Sequence, residues 1–192
     1  MLDTHLDWLI AVHELLEKAE LKAADLVGSS VGGSLAAEMA ALWPQSVRKL
    51  ALIAPFGLFV DTDPPTDPWA QRAADVPGLM CADPEVWTAL KTAPEGANSV
   101  EWPIEQTRAS EAAARIFWPL GNTRLEKRLR LITAPTLLLW GEEDRIMPRS
   151  YAEIFAKGIA GPTATQVIPR AGHLAELDQP AAVAEAILSF LG

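Results

Sequence analysis

Apolar side chains recur at three- and four-residue intervals from about Thr4 to Ala19, with Leu6, Leu9, Ile10, His13 and Leu16 on one face and Trp8, Val12 and Leu15 widening it. That period predicts an amphipathic helix. Thr4 and Asp7 stand at its start with the spacing of a capping pair. The pattern then changes. Asp25 to Gly28 reads as a short strand, Val31 to Trp43 as an Ala-rich helix stopped by Pro44, and Lys49 to Ala54 as an apolar run without alternation, as expected of a strand covered on both faces. Late in the chain the order returns: a strand from Thr136 to Trp140 behind Pro135, a helix near Arg149 to Ile159, a strand from Thr165 to Ile168 and a helix from Pro180 to Leu191. Strands alternating with helices predict an α/β fold, a mostly parallel sheet with helices on both faces and right-handed crossovers.

Residues 56–133 interrupt this alternation. They open on the turn-rich DTDPPTDP and continue as irregular helical pieces carrying Trp69, Trp87, Trp102, Phe117 and Trp118. The division predicted is a core made of residues 1–55 and 134–192, with a helical cap inserted at 56–133. The tryptophans are read as the packing of that cap, so none is assigned to a site.

Composition narrows the class of protein. At 192 residues, with 49% of them apolar and 21% charged, the chain can bury a core and is too apolar for general disorder. The net charge of −9 repels a phosphate backbone, which sets nucleic-acid partners aside. Cys81 is the single cysteine, so neither an internal disulfide nor a thiolate-rich metal site can form. It reads as a small buried or half-buried apolar residue. Asp3, Asp7 and Glu14 precede any Lys or Arg, unlike a signal peptide. The most apolar run, Leu50 to Val60, is broken by Pro55 and Gly57 and falls short of the roughly 20 residues a membrane helix needs. These features lead to the expectation of a cytoplasmic protein without a membrane partner. No P-loop lysine, dinucleotide-binding glycine pattern or metal cluster stands in the sequence, so no cofactor and no metal are expected.

The candidate chemistry lies where strands end. Gly28-Ser29-Ser30-Val31-Gly32 fits G-x-S-x-G between a strand and a helix, the setting in which a strained turn presents a serine as nucleophile. A serine hydroxyl needs a base to take its proton, and the base needs a third group to fix its tautomer. Of the three histidines, His5 and His13 fall within the first helix, where a surface or half-buried role suffices. His173 instead follows an apolar strand, in a turn where a side chain can overhang the carboxyl end of a parallel sheet. Asp144 is the carboxylate chosen from the turn after Trp140; Glu142 and Glu143 stand beside it as alternatives. Glu176 and Asp178 are placed to cap the last helix.

Three stretches, GSSVGG at 28–33, WGEEDRIMP at 140–148 and AGHLAELDQP at 171–180, resemble the nucleophile elbow, acid turn and histidine turn of the α/β-hydrolase superfamily. The resemblance covers nearly the whole chain, with the cap segment matching in position and length. It implies an α/β-hydrolase fold with Ser30 as nucleophile, His173 as general base and then acid, Asp144 as the residue orienting His173, and the Val31 N–H as one oxyanion donor. It also implies that Gly28 and Gly32 relieve crowding around the serine and that Gly33 lets the helix approach the sheet. The expected activity is hydrolysis of a small apolar ester or other acyl substrate through an acyl-enzyme. Carbon–carbon bond hydrolases of ring-cleavage products are similar to this chain too, and cofactor-free haloperoxidases and hydroxynitrile lyases share the elbow. Branches with an aspartate nucleophile fit poorly. Activity should fall as His173 becomes protonated in acid.

The chain departs from the family pattern before the elbow. Family members place four strands and a helix ahead of the helix that precedes the nucleophile, whereas Ser30 here follows 29 residues. The loop that carries the second oxyanion donor is expected to be absent with those strands, and losing one such donor costs on the order of 10²- to 10³-fold in turnover. The open apolar edge at residues 25–28 is expected to pair with a second copy of the chain or to aggregate, the alternative being that the chain is one portion of a longer parent; as a rival to the enzyme stands a hydrolase core that binds without turnover.

Overall fold

The computed structural model describes residues 4–117 and 123–192; Trp118 and the side chain of Phe117 lie outside the described set. The first helix, α1 (His5–Lys18), starts on a reciprocal cap in which the Asp7 N–H donates to the Thr4 hydroxyl at 3.2 Å and the Thr4 N–H to the Asp7 carboxylate at 2.8 Å. Its apolar face is only partly used. Leu9 is buried, whereas Leu6 and Ile10 are exposed, because the helix leans chiefly on one neighbour, α2 (Ser30–Leu42). His13 stacks on Trp43 with ring centroids 4.3 Å apart.

Four strands, β1 (Ala24–Ser29), β2 (Val47–Ile53), β3 (Thr136–Gly141) and β4 (Thr163–Ile168), pair in parallel in that order. The register sets Gly28 against Leu52, Ile53 against Leu139 and Gly141 against Ile168, which brings the carboxyl ends of β1, β3 and β4 to one rim of the sheet. Side chains alternate across the pleat, so each central strand feeds two cores. Leu50, Leu52, Leu138 and Trp140 face α2 and α6 (Ser150–Gly158), while Ala51, Ile53, Leu137 and Leu139 face α8 (Pro180–Leu191). This double burial is why β2 and β3 read as unbroken apolar runs. At one edge, β1 leaves Val27 half exposed.

The segment between β2 and β3 carries α3 (Val76–Met80), α4 (Pro84–Lys91) and α5 (Glu101–Phe117). Its two ends are built into the larger core through Phe56, Leu58, Leu125, Leu129 and Ile132. They are also held by an ion pair with a buried acid: Glu38 of α2 accepts from the half-buried Arg128, whose guanidinium also donates to the Thr123 carbonyl at 2.9 Å. Thr123 in turn donates its hydroxyl to the Gly57 carbonyl at 2.7 Å. No helix among the described residues is long and apolar enough to cross a membrane.

Candidate active site

Ser30 sits where β1 turns into α2, with φ of 53°, a left-handed value that a side chain adopts only under constraint. The constraint comes from tight backbone packing. A Cβ on Gly28 would lie 2.5 Å from the Gly32 carbonyl oxygen, and one on Gly33 would lie 2.9 Å from Pro55 Cβ and 3.0 Å from the Gly28 carbonyl oxygen. Gly32 differs from the expectation that it relieves crowding. Nothing lies within 4 Å of where its Cβ would stand, because it faces outward from the turn. The Val31 N–H belongs to the first turn of α2, where helix geometry leaves donors without intrahelical acceptors and the helix dipole favours negative charge.

His173 and Asp144 come to Ser30 from the rim. His173 Nε2 lies 2.8 Å from the Ser30 hydroxyl, and its Nδ1 lies 3.1 Å from Asp144 Oδ2. Both His173 and Asp144 side chains are fully buried. The other Asp144 oxygen accepts from the backbone N–H groups of Ile146 at 2.8 Å and Met147 at 2.9 Å, so the turn itself fixes the carboxylate. A carboxylate accepts and does not donate, which holds the imidazole proton on Nδ1 and leaves the Nε2 lone pair for the serine hydroxyl. Glu142 and Glu143 are turned away: Glu142 accepts from the Arg170 N–H at 3.3 Å, and Glu143 pairs with Arg145 at 3.8 Å. His5 and His13 stay on α1.

A cavity of about 560 Å³ opens above Ser30 and His173. Its walls are Val31, Phe56, Trp69, Met80, Trp87 and Ile146, with Lys91, Gln106 and Ser110 adding polar groups from α4 and α5. The size suits a small-molecule ligand. Trp69 and Trp87 therefore line the site, contrary to the reading of the tryptophans as cap packing alone. Their position depends on how the segment folds back over the sheet rim, which leaves no periodic trace in the sequence. The Phe56 ring lies 5.5 Å from the His173 ring, tilted by 55°.

The sequence reading of Asp178 is corrected by the structure. The residue at the start of α8 is Gln179, with no side-chain cap, and the Asp178 carboxylate points instead to the histidine turn. It accepts the N–H of Gly172 at 2.7 Å and that of Ala82 at 2.8 Å on one oxygen, and the N–H of Asp83 at 3.4 Å on the other. Gly172 and Gly141 make that meeting possible. A Cβ on Gly172 would lie 2.7 Å from the Ala82 nitrogen, and one on Gly141 would lie 2.0 Å from the Gly172 carbonyl oxygen. Cys81 is buried in the same contact. Burial pushes its thiol up to about 12, with Asp178, Glu176 and Asp83 adding to the shift, so it remains a neutral packing group. No group of His, Cys, Asp and Glu among the described residues could hold a metal ion.

Comparison with known proteins extends the picture. The sequence profile described as the alpha/beta hydrolase family matches residues 2–186. Monoacylglycerol lipase ABHD6 of Mus musculus is 26% identical over 94% of this chain and 59% of its own length, and carboxylesterase YbfK of Bacillus subtilis (strain 168) is 26% identical over 99% of this chain and 64% of its own. The chain thus spans less than two thirds of the length of these relatives. Among solved structures, a meta-cleavage product hydrolase from Pseudomonas fluorescens IP01 superposes with a TM-score of 0.73 at 18% identity, covering 96% of this chain and 70% of that one. With the parallel sheet, the turn that carries Ser30 and a profile match over nearly its whole length, the chain belongs to the alpha/beta hydrolase family.

Proposed function

We propose that this chain is a serine hydrolase that cleaves a small apolar ester or related acyl substrate through an acyl-enzyme intermediate. The observation that carries the proposal is the relay from Ser30 through His173 to Asp144, with links of 2.8 and 3.1 Å, opening into an apolar cavity. Ser30 Oγ attacks the acyl carbon as His173 Nε2 takes its proton. The carbonyl oxygen becomes an oxyanion, and the Val31 N–H donates to it at the positive end of α2. The imidazolium, held by Asp144, then gives its proton to the leaving alkoxide. Water enters, gives a proton to Nε2 and attacks the acyl-enzyme; collapse of that intermediate returns the proton to Ser30 and releases the acid. Trp69, Met80 and Trp87 supply the apolar wall for the acyl or alcohol portion. The lipase and esterase named among the relatives act in the same substrate class.

The test is hydrolysis of 4-nitrophenyl acetate, butyrate and octanoate by the purified chain beside Ser30→Ala prepared identically. Turnover by the wild type that falls to the blank in Ser30→Ala is the expected result. Equal signals from the two proteins, or none from either, would sink the proposal.

A further inference from the structure

Residues 80–83, from the last residue of α3 onward, lie against both flanks of His173. On one side, the Gly172 N–H donates to Asp178 at 2.7 Å; on the other, the Leu174 N–H donates to the Met80 carbonyl at 2.8 Å. Asp178 shares the oxygen that holds Gly172 with the Ala82 N–H, and its second oxygen takes the N–H of Asp83, the residue that caps α4 by accepting from Glu85 N–H at 3.0 Å. Thus the N–H groups of the residues before and after His173 are both tied to residues 80–83, that of Gly172 through Asp178 and that of Leu174 directly. Gly172 has no room to retreat, with the end of β3 on one side and the Cys81–Ala82 backbone on the other.

We infer that Asp178 is a positioning residue for His173: its carboxylate clamps the histidine turn to residues 80–83, so that the wall of the cavity and the general base are held as one unit. The inference rests on the serine-hydrolase reading. Three backbone donors converging on one carboxylate are satisfied by charge-assisted bonds, the stronger class of hydrogen bond. The wall concerned is the one that carries Met80, which lines the cavity. Contact of substrate with Met80 therefore presses on the element that sets the reach of Nε2 toward Ser30. Asp178 itself touches neither Ser30 nor the imidazole in this arrangement. It acts through the Gly172 backbone, while the Leu174 N–H on the other side of His173 is held directly by the Met80 carbonyl.

The test compares wild type, Asp178→Ala and Asp178→Asn with 4-nitrophenyl butyrate, at a temperature where circular dichroism shows each to be folded. Asp178→Ala removes every acceptor, whereas the Asn carboxamide keeps one oxygen that can serve Gly172 and Ala82 together. Freeing the histidine turn by about 1 Å should lower kcat on the order of 10²-fold in Asp178→Ala, more than it changes KM, with Asn recovering most of the loss. A folded Asp178→Ala with wild-type kcat would overturn the inference, as would a folded Asp178→Asn no better than Ala. Should Asp178→Ala fail to fold, amide hydrogen exchange in the wild type decides. Gly172 and Ala82 must exchange slowly and together; fast exchange at either removes the clamp. The two readings fail differently: turnover that needs Ser30 but ignores Asp178 removes only the clamp, and turnover indifferent to Ser30 removes the hydrolase.

Discussion

Replacing either of two glycines in the turn around Ser30 should have opposite effects. At Gly28 an added Cβ meets the Gly32 carbonyl oxygen at 2.5 Å, its carbon at 2.7 Å and Gly33 Cα at 2.8 Å. All three are backbone atoms of the first turn of α2, so no side chain can swing aside. Restoring ordinary contact at about 3.4 Å requires the turn to retreat by roughly 0.9 Å. Overpacking of this kind costs about 1–3 kcal/mol, which for a chain of this size lowers Tm by roughly 2 to 12 °C. The same shift carries Ser30 away from His173 Nε2, now 2.8 Å from its hydroxyl, and a displacement near 1 Å costs on the order of 10²-fold in rate. At Gly32, by contrast, the new methyl meets nothing within 4 Å and the backbone is helical. Gly32→Ala should therefore stabilise by about 0.4–1 kcal/mol through the unfolded chain, with turnover unchanged. Differential scanning calorimetry and 4-nitrophenyl butyrate hydrolysis read both quantities. Gly28→Ala with wild-type Tm and kcat, or two variants that behave alike, would refute the reasoning.

Two further outcomes follow from the ion pair at the ends of the segment between β2 and β3. Glu38 is 1% exposed and receives the Arg128 guanidinium on both oxygens, so Arg128→Leu, which strands the buried carboxylate, should cost roughly 3 kcal/mol. Urea midpoints of Arg128→Leu and of the double variant with Glu38→Leu test this; a double variant no more stable than Arg128→Leu would refute it. Beside that pair, burial lowers the pKa of His5 from 6.5, with Glu38 pulling it up and Arg128 lowering it further. The unfolded chain then takes up the proton first, so the His5 contribution is whole above 6.5 and is lost as pH falls through the lower folded value. His5→Asn should flatten the acid side of a urea-midpoint profile, and an unchanged slope would discount His5.

The parts of this molecule that were legible in the sequence are those fixed by local rules. β2 and β3 announce themselves because strands buried on both faces carry no polar positions, and Leu50 to Ile53 and Thr136 to Trp140 carry almost none. The turn at Ser30 is readable because a left-handed residue wedged between backbone segments demands glycine nearby, and Gly28 has no space for any other side chain. The preference for Asp144 over Glu142 and Glu143 rested on pattern alone. Its structural counterpart is a two-residue reach, since the shorter side chain can accept from the N–H groups of Ile146 and Met147 while its other oxygen faces the imidazole. The apolar face of α1 is present but only partly covered, because periodicity shows which positions are apolar and does not show which neighbours arrive to cover them.

Asp178 marks the limit of such reading and its cause. From the sequence it stands two residues before Pro180, where an acidic side chain has an obvious use at a helix start. The use it finds is set by residues nearly a hundred positions earlier, because the N–H groups of Ala82 and Asp83 reach the histidine turn and take the Asp178 carboxylate as their acceptor. Backbone donors leave no mark on the amino-acid string, so no motif at 80–83 could have announced the partnership. Glycine leaves one: Gly172, which has room for neither a Cβ nor a retreat, stands next to His173 within the turn already singled out. A glycine beside a proposed general base, with no positive φ to require it, is a record of something packed hard against that backbone. Gly172 is therefore the residue from which a close approach of the segment between β2 and β3 to His173 could have been argued in advance.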